Sequence, residues 1–293
     1  MLMLTVVLMG FTSGTAIAAV THERAVTEFV CAPATNALAT GRAKSAQLSA
    51  RRSAVPDHGV VSVITIFAQF QGESTDALAP AWASALFDRG RPGSFSHFYD
   101  TMSLGQLKID GTVLPRRYSS DHGGSAYIAA DPVSEGRYGE FAREILTAAD
   151  ADVDFGAFDN DGPDGEPNSG DDDGFVDYVF LNLRSTPQRF LIGRATGIAA
   201  LGMEGDFNTA DRAAGGGVIR ISGTAGFGAI QRETSLAVAV GSMAHEFGHA
   251  LGLPDLFDRS FLTDNSQAPA QDSAVIGHWG LMGWGATGWY GND

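Results

Sequence analysis

Two histidines bracket a glutamate in the run His245-Glu246-Phe247-Gly248-His249-Ala250-Leu251-Gly252-Leu253-Pro254-Asp255. On a helix the two imidazoles lie one turn apart on the same face, where both can grip one metal ion. Glu246 follows the first histidine and can point at the metal's open position without ligating it. Gly252 lets the chain leave the helix through a positive φ, and Asp255 then comes round as a third, anionic ligand. Three protein ligands and a water describe a catalytic zinc site, whereas structural zinc sites are closed by four, usually rich in cysteine. With this chain's own residue frequencies, the full spacing arises by accident in about one chain in 17,000. That disfavours the bland alternative, an exposed helix that happens to carry two histidines. The residues before the motif, Ser235 to Ala244, are almost wholly apolar. The helix is therefore a core helix, and its buried imidazoles need partners that a metal can supply. Such a site activates water to hydrolyse an amide, with Glu246 taking the proton as general base and returning it to the leaving amine.

A second concentration of ligating residues lies upstream, from Asp159 to Asp177. So many carboxylates around glycine turns repel one another unless a hard cation neutralises them, and calcium prefers such oxygen cages. The spacing of Asp159, Asp161, Asp173 and Asp177 resembles an EF-hand loop split by an insertion, without the closing glutamate or the flanking helices. These four are the expected calcium ligands, with Asp171 and the Phe175 carbonyl as lesser candidates. The competing reading is a solvated acidic loop.

The run HEFGHALGLPDLFD at 245–258 resembles the immune inhibitor A-type secreted zinc metallopeptidases, within the broader zincin group. The resemblance covers roughly residues 58–293. It extends to the segment Phe95–Asp110, to Asp159–Gly162 and Asp171–Asp177, and to Gly277-His-Trp-Gly-Leu-Met-Gly-Trp-Gly285. It implies zinc on His245, His249 and Asp255, Glu246 as general base, and a turn that places Met282 beneath the zinc. The fold it implies is α+β and zincin/metzincin-like: a mixed twisted sheet, an active-site helix and that methionine-containing turn. Some zincins stabilise the oxyanion with a tyrosine two residues after the methionine, where this chain has Trp284. Tyr290 and His278 are nearby, and the role is assigned to neither. Family members continue past this point, which raises the expectation of a C-terminal truncation at Asp293.

Several elements must hold these residues in place. The β-branched and aromatic run 59–70 predicts a buried opening strand. Residues 80–103 read as helix interrupted around 89–93, and 106–114 as an edge-type strand. Glu135–Ala149 has helical spacing, with Tyr138, Phe141, Ile145 and Leu146 on one face. A second strong strand is expected at 175–183, loops with short strands at 193–228, and the metal-binding helix at 234–251.

At 293 residues, 44% of them hydrophobic and 18% charged, the chain can build one large core. A net charge of −15 argues against nucleic acid and against an anionic membrane as partners. Residues 1–18 read as a signal peptide, with an apolar run and the small pattern Ala16-Ile17-Ala18, although no Lys or Arg precedes the run. A membrane anchor fits less well, because the run is short and interrupted. Residues 19–57 read as a propeptide or linker and 58–293 as the catalytic domain. Cys31 is the only cysteine, so no intramolecular disulfide can form. The expectation is a secreted zinc endopeptidase acting on proteins or peptides, with calcium as a structural ion. The alternatives are a zinc amide hydrolase on a non-protein substrate and a catalytically weak, calcium-stabilised binding module.

Overall fold

The computed structural model describes residues 31–32, 55–264 and 275–287, the first pair as backbone only. Its centre is β2 (Gly59–Gln69), buried from Val61 onward. A strand covered on both faces needs a continuous apolar run, which Val61–Phe67 supplies. β2 pairs in parallel with β3 (Leu107–Ser119) and β4 (Tyr178–Leu183), and β4 pairs in parallel with β8 (Gly228–Arg232). β5 (Gly197–Ile198) runs antiparallel to β8, and β1 (Cys31–Ala32) adds to β5 in parallel. The six-stranded sheet, ordered β1-β5-β8-β4-β2-β3, is therefore mixed. β6 (Phe207–Arg212) and β7 (Val218–Ile221) form a separate antiparallel pair.

β3 lies at the sheet edge, as its alternating pattern predicts, but it runs on past residue 114. Its register against β2 shifts between Thr65 and Phe67, opposite the stretch of β3 that contains Pro115. Proline cannot donate to a ladder, so an edge bulge is where a strand tolerates it.

Helices cover both faces. α1 (Phe95–Met102) and α3 (Leu236–Ala250) lie over Val61, Val63, Phe67, Tyr178 and Phe180. α2 (Tyr138–Ala149) covers Ile64, Ile66, Val179 and Leu181 with its Phe141, Ile145 and Leu146. α2 begins three residues later than its spacing predicts, because Glu135 bridges to Ile192. β4 likewise begins at Tyr178 and not at 175: Phe175 bridges to Arg220, and both carboxylate oxygens of Asp177 are taken by backbone amides.

α3 is capped by Ser235, whose side chain accepts from the Val238 amide. Beyond the helix Gly252 takes φ 86°, as its place in the motif predicts, and the Leu253 amide bonds back to the Gly248 carbonyl. The segment 281–287 lies against this helix at two glycines. A Cβ on Gly241 would come within 1.9 Å of the Ala286 carbonyl oxygen, and one on Gly248 within 2.8 Å of the Met282 sulfur. No helix among the described residues is long and apolar enough to cross a membrane.

On the β2–β3 side, Arg117 pairs with Glu233 at 2.8 Å with both side chains almost fully buried. Burial pushes the Glu233 carboxyl up while Arg117 pulls it back. Removing one partner of a buried pair strands the other charge, so Glu233→Ala is expected to lower stability by about 3–5 kcal/mol. Glu140→Ala, which breaks the exposed pair with Arg137, should lower it by less than about 1 kcal/mol. Urea unfolding of the two variants measures both, and equal effects would contradict the assignment.

Candidate metal centre

α3 carries His245 and His249 on its last turns, and the loop after Gly252 brings Asp255 back to them. Nε2 of His245 lies 3.2 Å from Asp255 Oδ1, and Nε2 of His249 lies 3.3 Å from the same oxygen. The three ligating atoms fall within 4.8 Å of one another. The sequence-predicted zinc residues are thus brought together, with their donor atoms convergent.

The far side of each ring explains why these nitrogens face inward. His245 Nδ1 is 2.9 Å from the Leu281 carbonyl oxygen, and His249 Nδ1 is 2.8 Å from that of Leu253. A carbonyl only accepts, so each Nδ1 carries the hydrogen and donates it. A neutral imidazole so held presents the Nε2 lone pair to the centre. Neither carbonyl was legible in the sequence, because any residue type supplies one.

His245 is buried, His249 partly so, and Glu246 fully. Burial alone would favour a neutral Asp255, but when Nε2 of His245 and of His249 carries a proton, its hydrogen bond to the carboxylate outweighs burial and holds the carboxyl well below the usual range. For His249, burial pulls the pKa down while Asp255 and the Glu246 charge push it up, with a net rise. The charge of Glu246 is thus felt at His249. Surroundings that draw a proton onto His249 in this way also suit a cation.

Met282 is buried against Gly248, and its carbonyl accepts from the Leu256 amide at 2.7 Å. Consecutive residues of this segment therefore support a histidine ring and the loop beside Asp255. His278 Nδ1 donates toward the Trp284 carbonyl at 3.0 Å, and Trp284 itself is buried. Tyr290 lies outside the described residues, as do the signal-peptide segment and nearly all of residues 19–57. His58 pairs with Asp57, and the His122 ring lies near that of Tyr127.

In the acidic loop, Asp159 and Asp161 come together with Asp172. The spacing singled out Asp173 instead, and three successive aspartates left that choice undetermined. Asp173 accepts from the Phe175 amide, Asp177 from the amides of Ser62 and Asn160, and Asp171 bonds Ser169. Burial, then repulsion from Asp172, Asp173, Asp161 and Asp177, pushes the Asp159 carboxyl up to about 8. Burial pushes Asp177 up to about 7 against its two amide donors. A cavity of about 530 Å³ opens on Asp159, Asp172, Asp173 and the glycines at 215–217.

Residues 81–292 match the family model described as immune inhibitor A peptidase M6, catalytic domain. The chain belongs to the immune inhibitor A peptidase family. A curated relative, immune inhibitor A of Bacillus thuringiensis subsp. alesti, is 26% identical over 213 residues, which is 67% of this chain and 30% of the relative. The chain thus spans about a third of the length of the curated relative it matches. The family is one of metallopeptidases, and His245, His249 and Asp255 form a group that could hold a metal ion.

The raised carboxyls of the acidic loop set a direction for pH. A carboxyl with an elevated folded pKa loses stability for the native state as pH climbs from the unfolded value near 4 to the folded value. For Asp159 that window ends at about 8. In chelator-treated protein, Asp159→Asn should therefore raise the melting temperature at pH 8 by at least about 3 °C, and by clearly less at pH 5, where only the first part of the window has been crossed. Equal shifts at both pH values would argue against the buried charge.

Proposed function

We propose that this chain is a secreted zinc metalloendopeptidase. The observation that carries the reading is the convergence of His245 Nε2, His249 Nε2 and Asp255 Oδ1, with each imidazole fixed from behind by a carbonyl. Two imidazoles and one carboxylate leave a coordination position open, which suits catalytic zinc. Bound there, zinc would polarise the scissile carbonyl and make a coordinated water acidic.

The chain's own residues supply the rest. Glu246, buried beside His249, accepts the proton of the attacking water on its carboxylate and returns it to the departing amine. The Leu281 and Leu253 carbonyls keep the imidazoles from turning away. Met282, packed against Gly248, forms an apolar floor under the helix, consistent with a zincin-like methionine turn. A binding module gains nothing from a buried general base, which disfavours the non-catalytic alternative.

The acidic loop is assigned to a structural calcium ion, with Asp159 and Asp161 as ligands and Asp172, Asp173 and Asp177 around them. Support comes from the carboxylate crowding that raises Asp159 and from the tie of Asp177 to the β2 backbone at Ser62. Residues 1–18 are proposed as the secretory signal, 19–57 as a propeptide or linker whose β1 adds to the sheet edge, and 58–293 as the catalytic domain.

Purified protein and its Glu246→Ala variant, incubated with an unfolded protein and analysed by mass spectrometry, test the reaction. The variant should lose at least about 100-fold in cleavage rate while retaining stoichiometric zinc. Cleavage at the wild-type rate by the variant would sink the assignment. EGTA should lower the melting temperature and added calcium restore it, whereas an unchanged melting curve would remove calcium from the account.

A further inference from the structure

Arg259 stands four residues beyond Asp255, and its Nη1 lies 3.5 Å from Asp255 Oδ2. The other oxygen of that carboxylate, Oδ1, is the one that faces both imidazoles. The two oxygens therefore have different partners: one looks into the histidine pair, the other toward a guanidinium. We propose that Arg259 is a positioning residue for the metal centre, holding Asp255 as a one-oxygen ligand. This rests on the metal-centre reading given above.

The need for such a residue follows from where Asp255 sits. Unlike the two histidines, it is carried by a loop and not by a helix. Rotation about its last side-chain bond is soft, and a carboxylate can ligate through one oxygen or through both. Binding through both would occupy the position that hydrolysis leaves for water and substrate. A guanidinium on Oδ2 opposes that rotation, because turning Oδ2 toward a bound cation would abandon the ion pair. The side chain of Asp255 is 5% exposed, so water screens the pair little on the carboxylate side.

The backbone around Arg259 is fixed on both sides. Before it, the Leu256 amide donates to the Met282 carbonyl at 2.7 Å. After it, Asp258 accepts from the Ser260 amide at 2.9 Å, and a short 3₁₀ turn, Ser260–Leu262, begins. The side chain thus leaves from a defined point. Its guanidinium is half-exposed, so the arginine itself carries little of the core packing.

The test compares Arg259→Gln and Arg259→Lys in metal-free protein reloaded with zinc or cobalt(II). Arg259→Gln should weaken zinc binding roughly tenfold, the range seen when outer-shell partners of metal ligands are removed. The visible absorption of its cobalt form should weaken, as expected for a higher coordination number, while Arg259→Lys, which keeps the charge, should stay near wild type on both readouts. Arg259→Gln with wild-type zinc affinity and an unchanged cobalt spectrum would overturn the proposal. His249→Ala serves as the separate control: if it binds zinc as tightly as the wild type, the metal-centre reading itself fails, and the proposal fails with it.

Discussion

The burial of Phe247 fixes where the two histidines stand. Its ring packs against Phe95, Tyr99 and Tyr178 with centroids 5.7, 5.0 and 5.0 Å away, joining α3 to α1 and to the first residue of β4. Phe247 lies between His245 and His249 in sequence. Driving it into the core therefore turns the opposite face of the same two turns toward the Asp255 loop. Burying a phenylalanine contributes on the order of 2–3 kcal/mol, enough to set the rotation of a helix whose polar side must hold imidazoles and a glutamate. The Tyr99 hydroxyl donates to the Ala244 carbonyl at 2.7 Å and helps prevent the helix from sliding.

The same aromatic contact links the two acidic regions of the molecule. Tyr178 touches Phe247, and its hydroxyl lies 3.5 Å from the Glu246 carbonyl. The next residue back is Asp177, which two backbone amides tie to β2 and to the acidic loop. Charge at the loop is thus one residue away from the support of the metal helix. A cation that relieves repulsion around Asp159 would steady the Asp177–Tyr178 corner, and through it the turn that carries Glu246. In a chain with a single cysteine, that task cannot fall to an intramolecular disulfide.

Much of this arrangement could be read in the residues because the metal motif is local. The spacing of His245, Glu246 and His249 needs only a helix, and the apolar run before it shows that the helix is buried. Gly252 announced the turn by its residue type alone. β2 and the buried face of α2 were equally plain, since a β-branched run and a 3.6-residue period report directly on burial. What was hidden depends on atoms that every residue has, or on choices between like neighbours. The carbonyls of Leu281 and Leu253 carry no sequence signature. Asp172 and Asp173 look alike until the fold of the loop turns Asp172 toward Asp159 and Asp161. The later starts of α2 and β4 follow from tertiary partners, Ile192 for Glu135 and Arg220 for Phe175, that no local pattern names.

Family membership accounts for the peptidase chemistry, and the geometry accounts for how this chain would carry it out. The central claim is a three-ligand zinc centre with one position left open. Diffraction from crystals of zinc-replete protein, recorded at the zinc absorption edge, tests it most directly. The account predicts one anomalous peak bonded to Nε2 of His245 and His249 at about 2.0–2.1 Å and to a single oxygen of Asp255 at about 2.0–2.2 Å, with no fourth protein ligand. A peak elsewhere, a site closed by a fourth side chain, or no zinc at these residues would contradict it.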